Sequence, residues 1–310
     1  MKVIVGIDGS SNSFAAVEFV GRLLSAERDE LILLYATLEF AFDDERLDPA
    51  IEQRARSVLS STILDAAADR LPAAWQQRAE KREVSGAAST RLLEAVDTEQ
   101  ADLLVVGFSG TGGLIQEFML GSVCRAVVHA AKVPVLVVKS ERDSGEPAKQ
   151  SAGLISQHIN VLVAYDDTQL GERSAAILKK FSWPPGTRGW AMTAVPRMFV
   201  AELPDWIQLE RDPDVEAMAQ AWESEHQQQL EMARAELDKF RAELPSCFTS
   251  EGLIVAEGRP AEAILARVRE KAVDLVAVGS RSSGTMQRLL LGSTSAQVMR
   301  EAPCSVLVVR

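Results

Sequence analysis

Cysteine is scarce in this sequence: Cys124, Cys247 and Cys304 are the only three among 310 residues. They are odd in number, far apart and each set in an apolar stretch, which excludes a disulfide framework and matches no metal-binding spacing. His129, His158 and His226 have no cysteine or carboxylate at ligand spacing, so no metal centre is expected from them either. Basic charge is also in deficit. The 33 Lys and Arg against 44 Asp and Glu give a formal net charge of −11, which argues against a nucleic-acid or anionic-lipid partner, because phosphate contacts need cations. No apolar run approaches the roughly 18 residues of a membrane span. Met1–Val5 runs into Gly6 and Asp8 before a signal-peptide core can form. A cytoplasmic protein with no membrane partner is the expectation.

What is present is an ordinary globular composition, 47% hydrophobic and 25% charged, in a chain long enough for about two domains. The sequence repeats itself. Asp102-Leu-Leu-Val-Val-Gly107 returns as Asp274-Leu-Val-Ala-Val-Gly279, an offset of 172. Gly121-Ser122 leading to Val133-Pro-Val-Leu-Val-Val-Lys139 returns as Gly292-Ser293 leading to Cys304-Ser-Val-Leu-Val-Val-Arg310, an offset of 171. Val5-Gly-Ile-Asp8-Gly-Ser10 is echoed by Val163-Ala-Tyr-Asp166-Asp-Thr168, where the offset is only 158, so the second copy carries an insertion in its middle. The polar stretch Ser140–Ser151, broken by Gly145 and Pro147, reads as a linker. Two tandem domains are therefore expected, residues 1–145 and 155–310, with the insertion near 197–242.

Both copies alternate short apolar runs with helical spacing. In the first, Val3–Asp8, Leu31–Tyr35, a weaker run near Gln77–Val84, Leu103–Val106 and Val133–Val138 read as strands. Helices are expected after Ser13, from Pro49 to about Leu71, near Ala87–Asp97 and after Gly121. Strands that are apolar throughout, alternating with helices, imply an α/β fold whose parallel sheet is covered on both faces. Each half is then a doubly wound domain of five parallel strands. In the second copy Trp206, Met218 and Trp222 lie on a long acidic helical stretch, about Asp212–Ala242, where core or domain-contact roles are expected for them.

Ligands of open parallel sheets bind beyond the carboxyl ends of the strands. Two sets of residues stand there: Asp8, Gly107, Gly110, Gly121 and Ser122, and Asp166, Gly279, Ser282, Gly292 and Ser293. Glycines admit close approach of backbone amides, and a helix opening on Gly-Ser presents free N–H groups to an anion. The bland alternatives are an Asx turn or helix cap for each Asp, and N-caps for Ser122 and Ser293.

The Gly-x-x-Gly pattern, a spacer, Gly-Ser, a helix and a closing Pro-Val-Leu-Val-Val strand, after a first strand ending Val-Gly-Ile-Asp8-Gly-Ser, resembles the universal stress protein family. The resemblance implies two tandem Rossmann-like domains of the adenine nucleotide alpha hydrolase-like kind, paired within one chain through their final strands, with a homodimer of whole chains as a further option. It also implies an adenine nucleotide, ATP or AMP, as ligand. The Asp after the first strand would lie by the adenosine, the glycines and Gly-Ser would hold the phosphates, and Mg²⁺ or Mn²⁺ would bridge them. Each copy departs from the family pattern. Ten residues separate Gly110 from Gly121 where nine are usual, and Ser282 replaces the second glycine in the other copy. Arg281 and Arg288, the latter aligned with Glu117, favour an anion in the second loop; Asp166-Asp167 opposes it.

No Gly-x-x-x-x-Gly-Lys-Ser/Thr loop and no Gly-x-Ser-x-Gly elbow occurs. Beyond slow hydrolysis of bound ATP, no enzyme activity is expected. The reading is a cytoplasmic stress-response protein that binds nucleotide and signals through its conformation or an unidentified protein partner. The rival is a scaffold that binds no nucleotide and works through protein contacts of residues 200–242.

Overall fold

The computed structural model describes residues 1–37, 49–109, 120–140, 158–166, 169–196, 213–248, 252–280 and 291–310. Gly110, Ser282, Arg281, Arg288, Glu117 and Trp206 lie outside them. The first half runs β1 (Lys2–Ile7), α1 (Ser11–Leu23), β2 (Glu30–Thr37), α2 (Pro49–Ala68), β3 (Glu80–Ser85), α3 (Ala88–Glu99), β4 (Leu103–Gly107), α4 (Ser122–Ala130) and β5 (Val135–Val138). The second repeats the order as β6 (Asn160–Ala164), α5 (Gln169–Lys180), β7 (Arg188–Val195), α6 (Pro213–Ala242), β8 (Ile254–Glu257), α7 (Pro260–Glu270), β9 (Leu275–Gly279), α8 (Ser293–Glu301) and β10 (Ser305–Val309).

The strands form one sheet of ten in the order β3-β2-β1-β4-β5-β10-β9-β6-β7-β8. Within each half every pairing is parallel. The halves meet at an antiparallel seam in which Leu136 faces Leu307 and Val137 faces Val306, all with no exposed surface. The expected pairing through final strands is what the sheet shows. The central strands are apolar on both faces because helices cover both. One core layer joins Val5, Val17, Leu64, Leu136, Val163, Leu178, Leu237 and Leu307, and the other joins Ile4, Leu92, Val127, Leu162, Ile264, Val298 and Val306. Both layers run without a break from one half into the other.

The seam is reinforced by reciprocal contacts. Lys139, which follows β5, donates from Nζ to the carbonyl of Ala302 at 2.6 Å, at the C-terminus of α8. Arg310, its counterpart after β10, donates to the carbonyl of Val128 in the last turn of α4. Each closing strand thus delivers a cation to the negative end of the other half's last helix, where the helix dipole favours it.

The repeated Asp-Leu motif also has a structural cause. Asp102 accepts the backbone N–H of Lys2 at 2.8 Å, and Asp274 accepts that of Asn160 at 2.8 Å. Each carboxylate ties the start of its half's first strand. Asp102 additionally takes Lys180 of the second half at 2.7 Å. Burial works to raise its pKa, but Lys180 and the Lys2 N–H outweigh burial and the net direction is down. A depressed carboxylate contributes stability that is complete above its unfolded pKa, about 3.9, and is lost as pH falls through the folded value. Asp102→Asn is expected to cost about 1 kcal/mol at pH 7 and to flatten the acid limb of stability. Urea midpoints between pH 6 and 3 test this; a constant offset down to pH 3 contradicts it.

The insertion sits between β7 and β8. Val195 and Glu257 end these strands as paired residues, as Thr37 and Ser85 do in the first half. The 20-residue α2 becomes the 30-residue α6. The C-terminal part of α6 packs: Leu237 is fully buried, and Phe240 stacks on Tyr165 with centroids 4.4 Å apart. Core placement fails for Met218, which is 44% exposed; Trp222 is half-buried.

Candidate functional site

Asp8 follows β1 and folds back on its own chain. Its Oδ1 accepts the Ser10 N–H at 3.0 Å and the Ser10 hydroxyl at 2.6 Å, an Asx turn. Ser10 in turn caps α1, accepting the Ser13 N–H at 3.2 Å. Gly107 ends β4 against the opening of α1. A Cβ there would stand 2.8 Å from the Asn12 Cβ and 2.9 Å from its carbonyl carbon, so only glycine lets strand and helix close. Asn12 is buried and donates to the Ser109 hydroxyl at 2.7 Å and carbonyl at 3.2 Å, while accepting the Ser140 N–H at 2.8 Å. These bonds stitch α1 to the segments that follow β4 and β5.

Gly121 and Ser122 do open α4, but the cap is Gly121 and Ser122 is the first helical residue, without a side-chain capping bond. Gly292 and Ser293 stand the same way on α8. The N-cap role expected for the two serines is therefore wrong, for a reason found in both halves. The Gly121 N–H donates to the Phe108 carbonyl at 2.9 Å, and the Gly292 N–H to that of Ser280 at 2.7 Å. Closing the loop fixes each glycine at the helix entrance and moves the serine one position inward.

In the second half, four of the five expected residues share one cavity of about 300 Å³: Asp166, Gly279, Gly292 and Ser293. It lies beyond β6, β7 and β9, where the strand order reverses. Its apolar wall is Ala164, Met192, Ala194, Pro260, Ile264 and Val278. Its floor is the N-terminus of α8, where Ala296 is the first residue to donate within the helix, leaving the N–H groups of residues 293–295 without helical acceptors. Ser295 is held by donating to the Gly279 carbonyl at 2.5 Å. Asp166 and Glu236 contribute two carboxylates, and Thr193 a hydroxyl.

The halves differ where the first is stitched. The residue matching Asn12 is Leu170, which has no side-chain amide to make such bonds. Thr193 stands where the first half has Tyr35, whose pKa is raised by burial and then by the charges of Glu83 and Asp8. The Tyr35 phenol lies near enough to Asp8 to feel its charge, whereas Thr193 lines the second half's cavity. Local sequence pattern does not mark Asn12, Tyr35 or Glu236: the bonding partners of Asn12 are 97 and 128 residues away, Tyr35 lies inside an apolar strand, and Glu236 belongs to the inserted stretch.

Among the described residues no group of three or more His, Cys, Asp or Glu is placed to hold a metal ion, and no helix is long and apolar enough to cross a membrane. Burial pushes the Cys124 and Cys304 thiols up to about 12, and Cys247 up to about 11. At neutral pH all three are protonated and poor nucleophiles.

Fold and cavity together define a duplicated, doubly wound α/β protein with a ligand-sized crevice at the carboxyl ends of its strands. The family model for the universal stress protein family matches residues 1–139 and 208–310, and the chain belongs to that family. A universal stress protein of Thermus aquaticus is 35% identical over 153 residues, 48% of this chain and 97% of that protein. One from Mycobacterium tuberculosis is 30% identical over 214 residues, covering 69% of this chain and 63% of that protein. The crystal structure of a universal stress protein from Archaeoglobus fulgidus covers 100% of this chain and 96% of its own, with a TM-score of 0.58 at 21% identity. That likeness establishes the two-domain fold.

Proposed function

We propose that this chain is a cytoplasmic stress-response protein that binds one adenine nucleotide, in its second half, and acts through the resulting change in shape or partner contacts. The observation carrying this reading is the cavity of about 300 Å³ in which Asp166, Gly279, Gly292 and Ser293 converge on the α8 N-terminus. Its size is at the lower end of small-molecule sites. The apolar wall suits a flat base, and the free N–H groups at α8 suit a phosphate. An acidic chain holds an anion best with backbone amides and a helix end, which is what α8 offers. The two carboxylates nearby favour a nucleotide that carries Mg²⁺ or Mn²⁺ on its phosphates, the metal being bound by the nucleotide more than by the protein. Binding is the proposed activity, with hydrolysis of ATP at most slow.

Purified protein denatured in acid is expected to release adenine nucleotide, or, if purified empty, to give heat on titration with ATP and Mg²⁺. No nucleotide and no heat at millimolar ATP contradict the proposal. A protein-contact role for α6 stands beside it, favoured by Met218 and Met232, which are 44% and 64% exposed on that helix.

A further inference from the structure

Glu236 is half-buried on α6, faces the cavity, and has no hydrogen-bond or ion-pair partner among the described residues. A carboxylate turned toward a ligand crevice without a partner asks for a donor from the ligand. We propose that Glu236 acts with Asp166 to read the vicinal hydroxyls of the ribose, so that the site selects ribonucleotides over deoxyribonucleotides; this rests on the nucleotide reading above.

The position of the two carboxylates along the cavity carries the inference. In the sheet, β6 lies between β9 and β7. The anion-accepting end belongs to β9 and α8, and the apolar slot to β7 and α7, through Met192, Ala194 and Ile264. Asp166 follows β6 and so stands between the two ends, opposite whatever links a base to its phosphates. Glu236 is one helical turn before Phe240, whose ring stacks on Tyr165, the neighbour of Asp166. Both carboxylates line the same cavity.

The first half supplies an independent check on that placement. The turns Ala73–Trp75 and Ser246–Phe248 follow α2 and α6, and their fully buried rings Trp75 and Phe248 correspond. This alignment puts Glu236 opposite Ile63. Ile63 lies over the turn after β1: a Cβ on Gly9, beside Asp8, would meet it at 3.6 Å. The helical position that lies over the turn after β1 in the first half thus lines the cavity with Asp166 in the second, an apolar side chain in one and a carboxylate in the other.

Carboxylates accept hydrogen bonds and cannot donate them. A ribose offers two adjacent donors and a 2′-deoxyribose only one, which would leave an acceptor without its partner in the bound state. Sites built around a ligand hydroxyl reject analogues that lack it.

The test is calorimetric titration of the full chain with Mg²⁺-ATP and Mg²⁺-2′-deoxy-ATP, for the wild type, Glu236→Gln and Glu236→Ile, the last introducing the first half's own residue. The wild type is expected to prefer ATP by about ten-fold or more. Glu236→Ile is expected to reduce that preference below about three-fold, and Glu236→Gln, which keeps one acceptor oxygen, to retain part of it. Equal affinities in the wild type, or an undiminished preference in Glu236→Ile, overturn the ribose role while leaving nucleotide binding intact. Absence of binding by either nucleotide overturns both.

Discussion

Leu307→Ala is expected to destabilise the whole chain by about 2–5 kcal/mol, and Leu307→Asp to prevent accumulation of folded protein. Leu307 pairs with Leu136 across the antiparallel seam, and neither has exposed surface. Truncation leaves a cavity between core layers that are continuous through both halves. An aspartate there would be a buried charge with no partner in an all-apolar surround, among the most destabilising of single changes. Trp75, buried in the first half, is that half's only tryptophan. Chains keeping Trp75 alone report on it by fluorescence during urea unfolding, while circular dichroism reports on the total. Loss of Trp75 signal at lower urea in Leu307→Ala, although the substitution lies in the second half, is the expected result. An unfolding free energy unchanged to within about 0.5 kcal/mol, the range of surface substitutions, would make the seam a dispensable contact.

Ala194→Trp is expected to abolish ATP binding, with affinity falling by about 100-fold or more, equivalent to about 2.8 kcal/mol. Ala194 is half-buried at the end of β7 on the apolar wall, and an indole there occupies the slot proposed for the base. Ala36 is its counterpart at the end of β2 in the first half. Ala36→Trp is expected to change ATP affinity by less than about three-fold, because the proposed nucleotide site is in the second half. Matched thermal stability of the two variants separates occlusion from unfolding. Equal losses in both would place nucleotide in both halves.

Much of the fold is legible in the residues because parallel strands buried on both faces must be apolar throughout. The closing strand Ser305–Val309 has the bounds its apolar run suggests, and even the polar edge strand Glu80–Ser85 lies close to its expected position. The duplication exposed the order of elements twice. What local pattern could not show is which long-range contacts distinguish the two halves at the ends of these strands. In the first half Asn12 reaches Ser109, 97 residues away in the chain, and Tyr35 stands where the second half has Thr193. Helix entry was misread at Ser122 and Ser293 for a related reason: a loop-closing bond from the preceding glycine, invisible to capping preferences, decides where each helix begins. Met218 is exposed: helical spacing marks a face without saying what covers it.

The stoichiometry of ATP binding tests the account most directly, since it asks at once whether the chain binds nucleotide and whether its halves have diverged. Calorimetric titration of the full chain with Mg²⁺-ATP is expected to give one site per chain, lost in Ala194→Trp and kept in Ala36→Trp. Two sites per chain, one site that survives Ala194→Trp, or no binding at millimolar ATP would contradict it.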